Sequence, residues 1–274
     1  MTNSTEPQSD RALAETLVAA VRRAGGCIVA RRKAGLSVET KADSTPVTEA
    51  DREAEGIILE TLRKVLPGMP VIAEEEVAGG NIPDVGSAFV LVDALDGTRD
   101  FVNGGDDFTV NVALVRDGTP GLGVVGAPAR GQLWVGIAGS GAFAVDASGA
   151  WRPIKVRPAH DGPFDIIASR SHRTRETDAF IARFPGARIV AAGSSLKFCT
   201  VAEGNADLYP RLGSTSQWDT AAGDAVLRAA GGRVVTLDGK PLRYGPGAEL
   251  GAAAFRNPWF VAAGGVDPFA AGRR

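Results

Sequence analysis

The chain has 274 residues, with 30 lysines and arginines against 32 aspartates and glutamates, a formal net charge of −2 and a pI of about 5.8. Hydrophobic residues make up 44% and charged residues 23%, which excludes a disordered chain; the near-cancelling charges exclude a global basic field for nucleic acid. No stretch reaches the roughly 18 uninterrupted apolar residues of a membrane span, and Met1–Asp10 has neither a basic nor an apolar region. Residues 1–10 are therefore expected as a frayed tail, and the protein as cytoplasmic with no integral membrane association. Cys27 and Cys199 lie far apart and are expected to be reduced, small core residues.

Leu13, Leu17, Val18, Val21, Ile28 and Val29 recur at helical spacing and predict a helix over Arg11–Arg32, weakened at Gly25-Gly26. Ala54, Ile57, Ile58, Leu62 and Val65 predict a second over Thr48–Leu66, stopped by Pro67-Gly68. A polar loop, Lys41–Thr48, separates them. From Val71 the period changes to short apolar runs that suit buried strands: Val71–Ala73 and Ala88–Asp93. Phe108–Val115, Gly121–Ala127, Gln132–Ala138 and Ala142–Val145, separated by Gly-containing turns, read as an antiparallel meander. After Asp161-Gly162-Pro163, strands Phe164–Ala168, Arg188–Ala191, Ala206–Tyr209 and Arg233–Leu237 sit between helices around Glu176–Phe184, Ser195–Glu203 and Asp219–Ala230. The fold class is α/β: an α+β sub-domain over residues 11–158, then an α/β sub-domain over 159–274.

Acidic residues gather at strand ends. Glu74-Glu75-Glu76 follows one strand, and Asp93-Ala94-Leu95-Asp96-Gly97-Thr98 follows the next. A carboxylate ending a buried strand is expensive unless a cation or hydrogen bonds compensate it. Asp93, Asp96 and the Leu95 carbonyl can converge across the turn that Gly97 permits, and oxygen ligands without His or Cys select Mg²⁺, Mn²⁺ or Ca²⁺ over zinc. An Asx turn at Asp93 and a solvated corner at Glu74–Glu76 account for the same residues. Asp219 is either a further ligand or an acid facing a helix dipole. Asp51 either completes a capping box with Thr48 or supports the metal site. Gly121-Leu-Gly123-Val-Val-Gly126 matches the dinucleotide pattern only literally, because no helix opens within it.

Lys41-x-Asp43-x-x-Pro46-Val47-Thr48-x-x-Asp51, Glu74-Glu75, Asp93-x-Leu95-Asp96-Gly97-Thr98 and Trp218-Asp219-x-Ala-x-Gly223 together resemble the motif set of the inositol monophosphatase superfamily, in order over about residues 12–262. Ala94 stands where that family usually has Pro, and Ala73 where Gly or Ser precedes the glutamates; neither removes a ligand. Ser169-Arg-Ser-His172, Gly193-Ser194-Ser195-Leu-Lys197-Phe-Cys199 and Ala206-Asp-Leu-Tyr209-Pro-Arg211 are similar to the 3′(2′),5′-bisphosphate nucleotidases of the CysQ type.

The resemblance implies a layered α/β/α/β/α sandwich and a lithium-sensitive, Mg²⁺-dependent phosphomonoesterase of sulfur assimilation, monomeric or homodimeric. Its substrate would be adenosine 3′,5′-bisphosphate, cleaved to AMP, with the 5′-phosphosulfate analogue as a second candidate. It places two to three Mg²⁺ ions on Glu74, Asp93, the Leu95 carbonyl, Asp96 and Asp219, and makes Glu74, Thr98 and Asp51 the groups that orient an attacking water. Thr98, His172, Ser194, Lys197 and Arg211 would bind substrate. Read from the residues alone, Lys197 is more readily a solvated side chain, Arg211 a surface ion pair and His172 a loop residue. No G-x-S-x-G elbow or histidine triad setting is present, which fits water as nucleophile. An inositol or sugar phosphatase of the same superfamily, and a metal-binding protein without turnover, are the competing readings.

Overall fold

The computed structural model describes residues 6–35, 38–40, 46–169 and 173–269. Helix α1 (Glu6–Ala34) is followed by a short antiparallel pair, β1 (Val38–Thr40) and β2 (Pro46–Thr48). Thr48 then caps α2 (Glu49–Val65). β3 (Val71–Ala73) runs straight into α3 (Glu74–Ala78), and β4 (Ala88–Asp96) into α4 (Thr98–Val102). Strands β5 (Thr109–Arg116), β6 (Thr119–Ala127), β7 (Gln132–Ile137), β8 (Gly141–Val145) and β9 (Trp151–Ile154) follow as a meander. The rest alternates: β10 (Asp165–Ser169), α5 (Arg175–Ile181), β11 (Arg188–Ala192), α6 (Leu196–Ala202), β12 (Leu208–Arg211), α7 (Ala221–Ala229), β13 (Arg233–Thr236) and β14 (Phe260–Ala263).

Two sheets result. The first holds β3 to β9 in chain order, parallel between β3 and β4 and antiparallel thereafter. The second has the order β11-β10-β12-β14-β13, with β10 parallel to both its neighbours and β14 antiparallel to both of its own.

Strand alternation sends successive side chains to opposite faces; the central strands of both sheets are covered on both faces, while the edge strand β11 leaves Ile189 and Val190 exposed. Val90, Val92, Val110, Val112, Leu122 and Val124 pack with Leu17, Val21, Ile58 and Leu62 of α1 and α2. Their neighbours Phe89, Leu91, Val125 and Trp134 face the other way, onto Phe198 and Cys199 of α6 and Ala222 and Val226 of α7. That middle layer continues into Tyr209 and Phe260 of the second sheet. Beyond it, Ile166, Leu208 and Val261 meet Phe180 and Ile181 of α5. The order is helices, sheet, helices, sheet, helix. Strands buried on both faces read as continuous apolar runs, which is why the sequence shows little alternation of polarity.

The expected elements are all present, with bounds moved by up to a turn. α1 begins at Glu6, so residues 6–10 belong to the helix and are not a frayed tail; Asp10 is 7% exposed and takes both Arg116 Nη atoms at 2.7 and 2.8 Å. Thr48 and its two predecessors pair as a strand, not a loop. The short α3, α4 and β9 were not expected, nor was β14, although it is central in the second sheet. Cys27 and Cys199 are both free thiols, but only Cys199 is buried; Cys27 is half-exposed and donates to Glu53 Oε2.

The glycines of the dinucleotide-like run serve close packing. A Cβ on Gly123 would lie 2.5 Å from the Ala222 carbonyl oxygen of α7, and one on Gly126 would lie 2.5 Å from Val21 Cγ1 of α1. Gly136 of β7 is tighter still, 2.5 Å from both Ala225 O and Val226 Cα. Gly136→Ala should therefore force α7 off the sheet and lower unfolding free energy by about 1–3 kcal/mol. Urea denaturation checks this, and an unchanged midpoint would mean that α7 does not bear on the sheet as described.

Candidate active site

Two strand ends build the acidic centre. β3 stops at Ala73 and the chain turns at once into α3, putting Glu74 at its first position. In β4, Asp93 pairs with Asn111 and Asp96 with Thr109, so two residues of β4 face one of β5 between them. Asp93 and Asp96 would point to opposite faces of a regular strand. The bulge re-aims them to one side. Gly97 then takes φ +93°, a left-handed conformation that side chains disfavour, and starts α4 at Thr98. Asp219 arrives from the segment before α7.

Carboxylate oxygens of Glu74, Asp93 and Asp219 all lie within 4.8 Å of one another. With Leu95, Asp96 and Thr98 they line a cavity of about 220 Å³. Burial, then the charges of Glu74, Asp96 and Asp219, push the Asp93 carboxyl well above its usual range. Burial with Asp96 and Glu74 does the same to Asp219. Asp96 is also raised by burial, against the opposing pull of the Lys197 ammonium. Such a group of hard oxygen donors, short of compensating protons or cations, fits a divalent ion of the Mg²⁺ or Ca²⁺ kind.

Several alternatives posed by the sequence are met together. One Asp93 oxygen closes the Asx turn by accepting Leu95 N–H at 3.0 Å. Asp51 completes the capping box with Oδ2, which accepts Thr48 N–H at 2.8 Å and Thr48 Oγ1–H at 2.6 Å, while Oδ1 lies 3.2 Å from Thr98 Oγ1. Thr98 Oγ1 is also 2.9 Å from the Leu95 carbonyl, so its single proton goes to one of the two. Asp219 does not face the α7 dipole: its Oδ2 accepts Ser216 N–H at 2.9 Å, and α7 starts two residues later.

Three residues missed in the sequence support this centre. Glu55, four residues after Asp51 and so on the same face of α2, accepts Glu75 N–H at 2.9 Å and Glu76 N–H at 3.0 Å. It caps α3, whose own N-cap, Ala73, has no side chain to do so. Ser195 Oγ donates to the Asp219 carbonyl at 2.6 Å and lies 3.3 Å from Asp96 Oδ2. Asp107 accepts Gly193 N–H. Only Glu55 carried a signal, its i+4 spacing from Asp51.

The second half of the cavity is basic and polar. Lys197, on α6, is 5% exposed and donates to the Ser194 carbonyl; burial lowers its pKa to about 8 despite the nearby Asp96. Arg211 ends β12 and donates through Nη2 to Ser214 O. Ser194 holds a positive φ of +45°. Its Oγ and Arg211 Nε are buried without a hydrogen-bond partner among the described residues, and both residues line the cavity. Buried donors left unpaired cost free energy unless a ligand or water takes them. Lys197 and Arg211 are thus neither solvated nor in a surface ion pair. Lys41, Asp43 and His172 lie outside the described residues.

Raised carboxyl pKa values mean that the native protein holds protons the unfolded chain releases, so without metal its stability falls as pH rises above the ordinary carboxylate value near 4. Glu55, pushed up to about 7 by burial, acts in the same direction. Tm of the metal-stripped protein should rise as pH is lowered from about 8 to about 5. Saturating divalent cation should raise Tm most at the upper end of that range. A cation effect that grows as pH falls would contradict the carboxylate assignment.

A model of the inositol monophosphatase family matches residues 9–264. The 3′(2′),5′-bisphosphate nucleotidase CysQ of Escherichia coli strain K12 is 42% identical over 225 residues, 82% of this chain and 88% of that protein. The histidinol-phosphatase of Mycobacterium tuberculosis strain H37Rv is 39% identical over 209 residues, 74% of this chain and 79% of that one. The crystal structure of CysQ from Bacteroides thetaiotaomicron superposes with a TM-score of 0.75 at 32% identity, over 93% of this chain and 98% of that one. Among the described residues, no helix is long and apolar enough to cross a membrane. With its five layers, its carboxylate turn and a family match running nearly end to end, the chain belongs to the inositol monophosphatase family.

Proposed function

We propose that the protein is a Mg²⁺-dependent 3′(2′),5′-bisphosphate nucleotidase that hydrolyses the 3′-phosphate of adenosine 3′,5′-bisphosphate to AMP. The observation that carries this reading is a single cavity lined both by carboxylates and by the buried, unpaired donors Ser194 Oγ and Arg211 Nε. The carboxylates suit the phosphate that reacts and the donors a second phosphate. Glu74, Asp93, Asp96, Asp219 and the Leu95 carbonyl are the groups that would hold the metal.

Charge supports two ions. Four carboxylates face Lys197 and Arg211, and the remaining lining charges, Arg99 and Asp100, cancel. Two negative charges are left over. One divalent ion brings the cavity itself to neutrality, the reacting phosphate dianion calls for a second, and the further phosphate of a bisphosphate leaves room for a third. When bound, such ions supply charge that neutralises the phosphate and acidifies nearby water.

The chain's own groups do the rest. Donation from Thr98 to Asp51 leaves a lone pair on the Thr98 oxygen to accept a hydrogen bond from a water in the cavity. Asp51 is fixed in place for this by both Thr48 contacts. Glu74, at the start of α3, lines the same cavity. Ser194, Lys197 and Arg211 bind the second phosphate, and the Lys197 stem lies against Tyr209, its Nζ 5.3 Å from the ring centroid. His172 follows in the family motif and is proposed as a further substrate contact.

Phosphate release with Mg²⁺ from adenosine 3′,5′-bisphosphate, inositol 1-phosphate and histidinol phosphate, measured side by side, tests the substrate. The nucleotide should be strongly preferred; a preference for either other ester overturns the substrate while keeping the phosphatase chemistry. Asp96→Asn should abolish turnover, at least about 100-fold, with Tm little changed. Lys197→Ala should raise KM for the bisphosphate about tenfold or more and leave KM for adenosine 3′-monophosphate nearly unchanged. Equal effects on both would remove Lys197 from recognition of the second phosphate.

A further inference from the structure

Asp107 sits against two glycines that line the cavity. A Cβ on Gly97, in the carboxylate turn, would lie 2.8 Å from the Asp107 carbonyl oxygen. A Cβ on Gly193, before Ser194, would lie 2.7 Å from Asp107 Cβ and 2.7 Å from Asp100 Oδ2. Both distances are too short for any side chain, so two main chains press against this one residue. Asp107 Oδ2 accepts Gly193 N–H at 2.9 Å, and Oδ1 accepts from Arg130 Nη2. The Asp107 side chain is 3% exposed, against 42% for Arg130 in the 3₁₀ turn Pro128–Arg130 after β6. Arg32 of α1 secures the same loop, donating to Gly105 O at 2.8 Å and Asp106 Oδ1 at 2.9 Å. Asp107, Arg130 and Arg32 do not line the cavity.

We propose that Asp107, held by Arg130, is a positioning residue that sets the Gly193–Ser194 turn, and through it Lys197, at a fixed distance from the carboxylate turn. The inference rests on reading Ser194 and Lys197 as phosphate-binding groups. Gly193 N–H is anchored to Asp107, and the carbonyl of the following residue, Ser194 O, accepts from Lys197 Nζ. The chain from Arg130 to Lys197 is thus continuous through polar contacts. The buried Asp107 carboxylate accepts charge-assisted hydrogen bonds from a guanidinium and an N–H, and removing the guanidinium loosens the hold on the N–H. Its negative charge also favours the Lys197 ammonium. The sequence distance is large, 86 residues between Asp107 and Gly193, and the contact joins the lead into the first sheet to the loop opening α6.

Arg130→Ala, Arg130→Lys and Asp107→Asn are measured with the full-length, Mg²⁺-loaded protein. Amide hydrogen exchange in the 193–197 segment should speed up about tenfold in Arg130→Ala and Asp107→Asn, with β10 and β12 unchanged. KM for adenosine 3′,5′-bisphosphate should rise about fivefold or more, while kcat and KM for adenosine 3′-monophosphate stay within about twofold. Arg130→Lys should recover most of the loss, and the double variant should be no worse than the worse single one. If Asp107→Asn fails to fold, Arg130→Ala decides alone, since Arg130 is largely on the surface. Unchanged exchange at 193–197 overturns the inference, as does an equal loss on both nucleotides. A wild-type protein inactive on the bisphosphate sinks the functional reading only, and the exchange result then decides the role of Asp107.

Discussion

Mutual repulsion among carboxylates at the ends of β3 and β4 is the constraint on which the rest depends. Asp93 is 2% exposed, and Asp96 and Asp219 face it with Glu74 close by. Like charges in a poorly hydrated site cannot all ionise without compensation. The fold therefore holds a high-energy cluster in place by covalent and packing means: a bulge in β4, a left-handed glycine, and helices that begin immediately where strands stop. Cations or protons must then relieve what the backbone enforces. Function follows from which of the two is present at working pH.

The layers serve that enforcement. The inner helices α6 and α7 lie between the sheets, and Gly123 and Gly136 let α7 lie directly against β6 and β7. Lys197 on α6 and Asp219 ahead of α7 are thereby brought to the open ends of strands in the first sheet. The second sheet adds Arg211 at the end of β12. Residues from widely separated stretches meet because buried strands end at one level, and short turns there carry the polar groups. A cluster spread over loops of the same length would lack this rigidity, since the entropy of ordering each loop would oppose the repulsive assembly.

Much of this was legible in the sequence, for identifiable reasons. Four apolar runs of the meander and the amphipathic α2 appear because burial repeats with a fixed period. The D-x-x-D-G-T turn stands out because a buried strand ending in carboxylates contradicts its own hydrophobicity. β14 escaped because the place of Phe260–Ala263 between β12 and β13 is set by pairing, which leaves no local trace. α3 and α4, five residues each, are too short for periodicity to show. Ser195 and Asp107 escaped for a related reason. Their partners, Asp219 and Gly193, lie 24 and 86 residues away, and nothing in the local sequence distinguishes a serine or aspartate that will find such a partner.

The sequence also posed choices that the molecule does not make. For Asp51, capping and support of the cavity looked exclusive, as did the Asx turn and the cation site at Asp93. A carboxylate has two oxygens with about four acceptor positions, and each of these residues divides them. Asp51 spends Oδ2 on the start of α2 and turns Oδ1 to Thr98. That division ties local stability to chemistry. The hydrogen bonds that begin α2 also fix the rotamer that aims the other oxygen, so the helix terminus acts as the mount for the site. Asp107 repeats the pattern, with one oxygen on Arg130 and one on Gly193 N–H. Where a buried carboxylate serves two partners, the structural role is the means by which the functional one is held, and asking which of the two is real separates what the geometry has joined.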